Sequence, residues 1–161
     1  MTKGWGASGS AYPVTAQNRA ERVAAARSDF DWTVRREIEK HGFADRLGRV
    51  ALVGFSQGSM MLLDAVATGR TPVAAGVAFA GRLVTDEALP PAGDTRLLLV
   101  HGAADTVVPP FELERARAML TASGFAVESR LLPEIGLSIV PEAARIACEF
   151  LRKSITQTVV A

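Results

Sequence analysis

Val50-Ala51-Leu52-Val53-Gly54-Phe55-Ser56-Gln57-Gly58-Ser59-Met60-Met61 is the stretch from which the fold is read. Val50 to Val53 is a short uninterrupted apolar run between Gly48-Arg49 and Gly54, the pattern of a strand covered on both faces, as in a parallel sheet. A helix is predicted over Ser59 to Thr68, closed by Gly69. Upstream, Val23, Phe30, Val34 and Ile38 recur near helical spacing, which predicts a long helix over 16–41 with Thr15 as N-cap, Gly42 as stop and its charges as a solvated face. Downstream, apolar runs at 73–80, 97–100 and 127–132 predict three more strands. Helices are predicted over 111–123, stopped by Gly124, and from Pro141 to about 153. Strands alternating with helices imply right-handed crossovers on a mostly parallel sheet of about four strands with helices on both faces, an α/β fold.

The composition bounds the function. With 161 residues, 48% of them hydrophobic, the chain can bury one core and is not of disordered type. Residues 1–14 read as an N-terminal arm, 15–156 as one domain and 157–161 as a tail. A net charge of +1 lacks the basic excess of a nucleic-acid coat, so no nucleic-acid partner is expected. No apolar run approaches the ~20 residues of a membrane span, and no signal peptide is visible. A cytoplasmic location is the expectation. One cysteine, Cys148, excludes an internal disulfide framework and reads as an inert packing residue, and two histidines, His41 and His101, make a metal site improbable.

Gly54-Phe55-Ser56-Gln57-Gly58 matches G-x-S-x-G, and its place between a strand and a helix is what a nucleophile elbow requires. The turn forces Ser56 into an unusual backbone conformation and lifts its hydroxyl above the sheet, with glycines letting the flanking backbones approach. The Gln57 N–H, at a helix N-terminus, points where an oxyanion would form. Such a serine needs an acid and a base later in the chain. Asp105, just past the third strand, is the candidate acid, whereas Asp86 and Asp94 read as solvated. Met60, Met61 and Phe79 are candidates for an acyl pocket, although methionines at helical spacing also suit plain core. A nucleotide-binding module is disfavoured, because Gly102-Ala103-Ala104-Asp105 has neither a G-x-G-x-x-G nor a P-loop pattern.

Three stretches carry a resemblance: Leu52 to Met61, Leu99 to Pro109 (LVHGAADTVVP) and Leu132 to Ile139 (LPEIGLSI). By them the chain, over about residues 20–152, resembles the carboxylesterase/phospholipase branch of the α/β-hydrolase superfamily, which includes acyl-protein thioesterases. The resemblance implies a serine carboxylester hydrolase acting on a small-molecule or lipid ester, with Ser56 as nucleophile, Asp105 as triad acid and Gln57 as half of the oxyanion hole. No metal or organic cofactor is needed for that chemistry.

Two departures qualify it. The family pattern after the last strand is G-H-S-I, with histidine as general base, and here that position is Leu137. Leucine cannot accept a proton, and loss of the base in a reference serine protease costs about 10⁶ in turnover. His101 looks structural, and His41, ahead of the first strand, is expected at the opposite end of the sheet. The family also carries an earlier segment with its first strands and an H-G-x-G-like oxyanion loop, of which residues 1–14 resemble only the tail. A partial α/β-hydrolase fold with severely impaired activity is therefore expected, the alternative being a non-catalytic pseudoenzyme or gene fragment acting as a binding module. In the family the nucleophile strand has neighbours on both sides. Here strand 50–54 is left with an unpaired edge, which invites a homodimer or another partner.

Overall fold

The computed structural model describes residues 15, 18–86, 88–91 and 93–157. The arm at 1–14 and most of the tail lie outside the described residues. Four helices, α1 (Arg19–Lys40), α2 (Gln57–Ala67), α3 (Phe111–Ala122) and α4 (Pro141–Gln157), alternate with four strands, β1 (Ala51–Phe55), β2 (Ala75–Phe79), β3 (Arg96–Gly102) and β4 (Ala126–Leu132). A short 3-10 turn, Leu47–Arg49, leads into β1. All neighbouring strands pair in parallel, in the order β1-β2-β3-β4. The expected α/β architecture is present, with the predicted strands in place.

Side-chain alternation divides the core between the two faces. Leu62, Leu63, Leu113 and Leu120 of α2 and α3 pack with Ala78, Leu97 and Leu99 of β2 and β3. On the other face Ala143, Ala147 and Phe150 of α4 cover Ala75, Val77, Phe79, Leu98 and Val100. Odd and even strand positions feed different clusters because successive side chains leave a strand on opposite sides. Both faces are apolar, which is why β2 and β3 read as unbroken apolar runs.

The N-terminal boundary of α1 differs from the expectation. The Thr15 N–H donates to Asn18 Oδ1 at 2.8 Å, and the Asn18 N–H donates to Thr15 Oγ1 at 3.3 Å, the reciprocal pair of a capping box. The helix itself starts at Arg19, with Asn18 at the N-cap. Its stop is as predicted: Gly42 has φ +73°, and the Phe43 N–H reaches back to the Ile38 carbonyl.

The charges of α1 are not all solvated. Arg27 donates from Nε and Nη2 to the two carboxylate oxygens of Asp64 on α2, at 2.9 and 2.8 Å. Arg70 Nη1 reaches the same carboxylate at 3.0 Å, and Arg70 Nε bonds Asp31 at 2.8 Å. Asp64 is fully buried. Its hydrogen bond holds the Arg27 guanidinium above the ordinary arginine value, against the opposing effect of burial. This cluster is the polar tie between α1 and α2.

Candidate active site

All four strands run the same way, so Ser56 after β1, Arg82 after β2, Asp105 after β3 and Leu137 after β4 follow the carboxyl ends of neighbouring strands. Open α/β sheets bind ligands at this edge. Ser56 and Asp105 are separated by two strand spacings, roughly 10 Å across the sheet.

Ser56 has φ +50° and ψ −112°, a conformation that a residue with a Cβ adopts only under constraint. The constraint is visible. The Ser56 N–H is tied to the Phe79 carbonyl at 2.9 Å, and the Ser56 carbonyl already accepts the first helical bond, from Met60 N–H at 3.1 Å. The Ser59 hydroxyl donates to the same Phe79 carbonyl at 2.7 Å, pinning the first turn of α2 to β2. Gln57 opens α2 and is exposed. Its N–H is among those that a helix leaves without an intrahelical acceptor.

The two glycines of the motif have different reasons. A Cβ on Gly54 would lie 2.6 Å from the Gly58 carbonyl carbon and 2.7 Å from Ser59 N, inside backbone that cannot yield. A Cβ on Gly58 would meet nothing within 4 Å, so Gly58 faces open space rather than a crowded backbone. Gly54→Ala is therefore expected to lower stability by about 3 kcal/mol, at the upper end of overpacking costs. Gly58→Ala should be neutral or gain up to about 1 kcal/mol, because alanine is the better helix former. Thermal melts of both variants check this, and equal losses would contradict the asymmetry.

Asp105 is buried, with 3% of its surface exposed. Its Oδ1 accepts from the Val107 and Val108 N–H groups at 2.8 and 2.9 Å. Its Oδ2 is buried without a hydrogen-bond partner. His101 Nε2 stands 3.5 Å from that oxygen but only 2.8 Å from the Val108 carbonyl. A carbonyl can only accept, so Nε2 carries a proton directed at Val108 and leaves Oδ2 unsatisfied. His101, buried and spent on a backbone bond, is structural as expected. His41 is exposed beside Glu37, 3.7 Å away, ahead of the turn into β1 and so toward the amino end of the sheet.

The loop after β4 is fastened to the loop that carries Asp105. Ala103 N–H donates to the Leu132 carbonyl at 2.8 Å, and Ala104 N–H to the Ile135 carbonyl at 2.9 Å. The fit is so close that a Cβ on Gly102 would lie 2.1 Å from the Ile135 oxygen. Leu137 extends from this fastened loop, about one-third exposed.

Two expectations are corrected. Phe79, a candidate for the acyl pocket, is a core side chain packed with Leu98, Val100 and Phe150, because odd positions of β2 face α4. Met61 is likewise buried, whereas Met60 is partly open on α2. Cys148 is exposed rather than packed, because Ala147 and Phe150 occupy the inward stripe of α4. One feature carried no signal in the sequence. Arg82, in the segment read as a loop, forms a 3.0 Å ion pair with Glu112 at the start of α3, and both side chains are about nine-tenths buried. Burial pushes the Arg82 guanidinium below the ordinary arginine value, and Glu112 opposes that shift. Among the described residues no group of three or more His, Cys, Asp or Glu could hold a metal ion. No helix among them is long and apolar enough to cross a membrane.

A strained serine between strand and helix, with an acid two strands away at the same sheet edge, places the fold in the α/β-hydrolase class. The phospholipase/carboxylesterase family model matches residues 4–155, and the chain belongs to that family. Esterase YpfH of Escherichia coli (strain K12) is 29% identical over 144 residues, covering 88% of this chain and 60% of that protein. The chain thus spans about three-fifths of the length of this curated relative. The crystal structure of esterase PE8 superposes with a TM-score of 0.77 at 26% identity, over 90% of this chain and 67% of that one. The Bacillus cereus carboxylesterase shares the fold, with a TM-score of 0.73 at 12% identity over 84% of this chain and 63% of that one.

Proposed function

We propose that this chain carries the nucleophile and acid of a carboxylic ester hydrolase, with Ser56 attacking the acyl carbonyl, the Gln57 N–H receiving the oxyanion and Asp105 as the orienting acid. The observation that carries the reading is the constrained backbone of Ser56, φ +50°, at the strand-to-helix turn. Such strain at a sheet edge is retained where it presents a side chain to a ligand. The substrate class is a small-molecule or lipid carboxylic ester, in keeping with the esterase relatives.

Attack requires the Ser56 hydroxyl to lose its proton as the C–O bond forms, and collapse of the tetrahedral intermediate requires a proton for the leaving alkoxide. Leu137 can do neither. The oxyanion donor and substrate binding alone leave a residual rate, about 10³–10⁴ over water in a reference triad enzyme. The chain in this reading is a severely impaired esterase. The test is a fluorophosphonate probe followed by intact mass. Slow labelling, confined to Ser56 and absent in Ser56→Ala, is expected. Labelling as fast as a competent serine hydrolase would overturn the impairment, and no Ser56 adduct after prolonged exposure would overturn the nucleophile assignment. The second reading, a binding module without turnover, is favoured by Leu137 and is the one a missing adduct would leave.

A further inference from the structure

Among the described residues, backbone strain gathers at the carboxyl edge of the sheet. Three non-glycine residues have positive φ: Ser56 at +50°, Ala80 at +48° and Glu134 at +59°. They follow the ends of β1, β2 and β4 by at most two residues. Such strain persists only where the surroundings over-determine it, and it clusters at working sites. Ser56 is accounted for by the nucleophile turn. Ala80 opens a second turn, on the strand that lies between those of Ser56 and Asp105.

That turn aims Arg82. The Ala80 N–H donates to the Val100 carbonyl at 2.9 Å, which ties the turn to β3. Gly81 lies against α2, where a Cβ would come 2.4 Å from the Ser59 Cβ. Ser59 is itself bonded to the Phe79 carbonyl, as is Ser56. Arg82 then meets Glu112, in the first turn of α3, at 3.0 Å. The other oxygen of Glu112 has Arg115 Nη1 at 3.5 Å, and that Nη1 donates to the Leu83 carbonyl at 2.8 Å. Glu112 therefore joins the segment after β2 to the start of α3. Its N–H donates to the Pro109 carbonyl at 3.0 Å, at the end of the loop whose Val107 and Val108 N–H groups hold Asp105 Oδ1. A continuous series of contacts thus runs from the Ser56 turn through Phe79, Gly81, Arg82 and Glu112 to Asp105.

The pair is poorly suited to a purely stabilising role. Arg82 Nε is buried without a hydrogen-bond partner. Burial pushes the guanidinium down. Glu112 and, more weakly, Asp105 favour its charged form, and Arg19 and Arg115 oppose it. A buried ion pair with an unsatisfied donor gains little over apolar side chains of the same volume. What an ion pair supplies, and apolar contact does not, is one preferred position for its partner.

We propose that Arg82, through Glu112, is a positioning residue for Asp105, clamping the acid loop from the β2 side as the Ala103 and Ala104 bonds clamp it from the β4 side. The proposal rests on the reading of Ser56 and Asp105 as nucleophile and acid. Without the pair the first turn of α3 loosens, and the Asp105 carboxylate is no longer held at one distance from Ser56. Misplacing such a group by about 1 Å can cost about 10²-fold in rate, so the clamp acts on turnover rather than on substrate binding.

The test replaces the pair by apolar side chains, Arg82→Met with Glu112→Leu. That exchange leaves neither partner as an unpaired buried charge, and the melting temperature should stay unchanged or rise. In the otherwise unaltered chain, amide exchange at Val107 and Val108 should speed about tenfold or more, with Ala103 and Ala104 unchanged. Glu112→Gln, which keeps the shape and loses the charge, should give the same local change in smaller degree. Arg82→Lys, which keeps a cation beside Glu112, should retain most of the protection. In the Leu137→His background the apolar pair should lower kcat about tenfold or more at unchanged KM. Unaltered exchange at Val107 and Val108 would overturn the clamp, and so would unaltered kcat in a Leu137→His chain that turns over. Uniformly faster exchange with a lower melting temperature would make the pair merely structural and overturn it as well. A Leu137→His chain with the pair intact and no Ser56-dependent turnover would count against the reading of Ser56 and Asp105, and the exchange would still decide the clamp.

Discussion

Leu137→His raises kcat/KM for a short-chain p-nitrophenyl ester by about 10³-fold or more, relative to the chain as it stands. The structure prepares the receiving side of that substitution. Asp105 Oδ1 is engaged by two backbone N–H groups, and Oδ2 is held in the interior without a hydrogen bond. An imidazole at 137 can donate Nδ1–H to Oδ2 and turn Nε2 toward Ser56, the relay of a serine triad. Residue 137 belongs to a loop bonded at Ala103 and Ala104 to the Asp105 loop, so the new side chain starts from a fixed backbone. The gain is set below the full 10⁶ attributed to a triad base, because the leucine site was not shaped for a ring. Ser56→Ala in the Leu137→His background should remove the gain, and Asp105→Asn should remove most of it by stabilising the wrong tautomer. Steady-state hydrolysis at high enzyme concentration reads all three. A Leu137→His chain without Ser56-dependent gain would contradict the assignment of 137 as the base position.

Asp64→Ala lowers stability by about 3 kcal/mol, at the lower end of what breaking a buried ion pair costs. The carboxylate is buried and is shared by Arg27 and Arg70. Its removal leaves the Arg27 guanidinium without its hydrogen-bonded carboxylate and Arg70 with only the Asp31 carboxylate, and the α1–α2 junction loses its polar tie. The figure stays low in the range because Arg27 keeps 39% of its side chain exposed, and water takes up part of its charge. For a chain of this size the melting temperature falls by about 6–12 °C. Urea unfolding should show a lower midpoint at unchanged slope. The control is Glu149→Ala, which removes an exposed 2.7 Å pair with Arg145 on α4 and should change stability by less than about 0.5 kcal/mol. A loss from Asp64→Ala no larger than the control's would mean that the cluster is screened like a surface pair.

Much of the sheet and of the site framework was legible from local patterns. The apolar runs at 50–53 and 97–100 lie within or against β1 and β3, because strands buried on both faces have few polar positions to disguise them. Gly42, Gly69 and Gly124 marked helix ends, and all three have positive φ. The strained turn at Ser56 was legible because a strand, a small-residue turn and a helix follow one another within a dozen residues. Helix starts were less so. The capping pair of Thr15 and Asn18 precedes the regular helix instead of opening it.

By itself the sequence determined the order and type of the elements, the elbow at Ser56, the carboxyl-edge position of Asp105 and the absence of a titratable group at 137. All of these depend on residues near one another in the chain. Only the tertiary structure decided that Asp64 takes Arg27 and Arg70, that Phe79 is core and Cys148 exposed, and that one oxygen of Asp105 is left unsatisfied. Arg27 and Asp64 meet from 37 positions apart, and Phe79 is buried by Leu98, Val100 and Phe150 of other elements, so these outcomes depend on which surfaces the fold brings together. Burial and hydrogen-bond satisfaction are properties of that meeting, and no local periodicity encodes them.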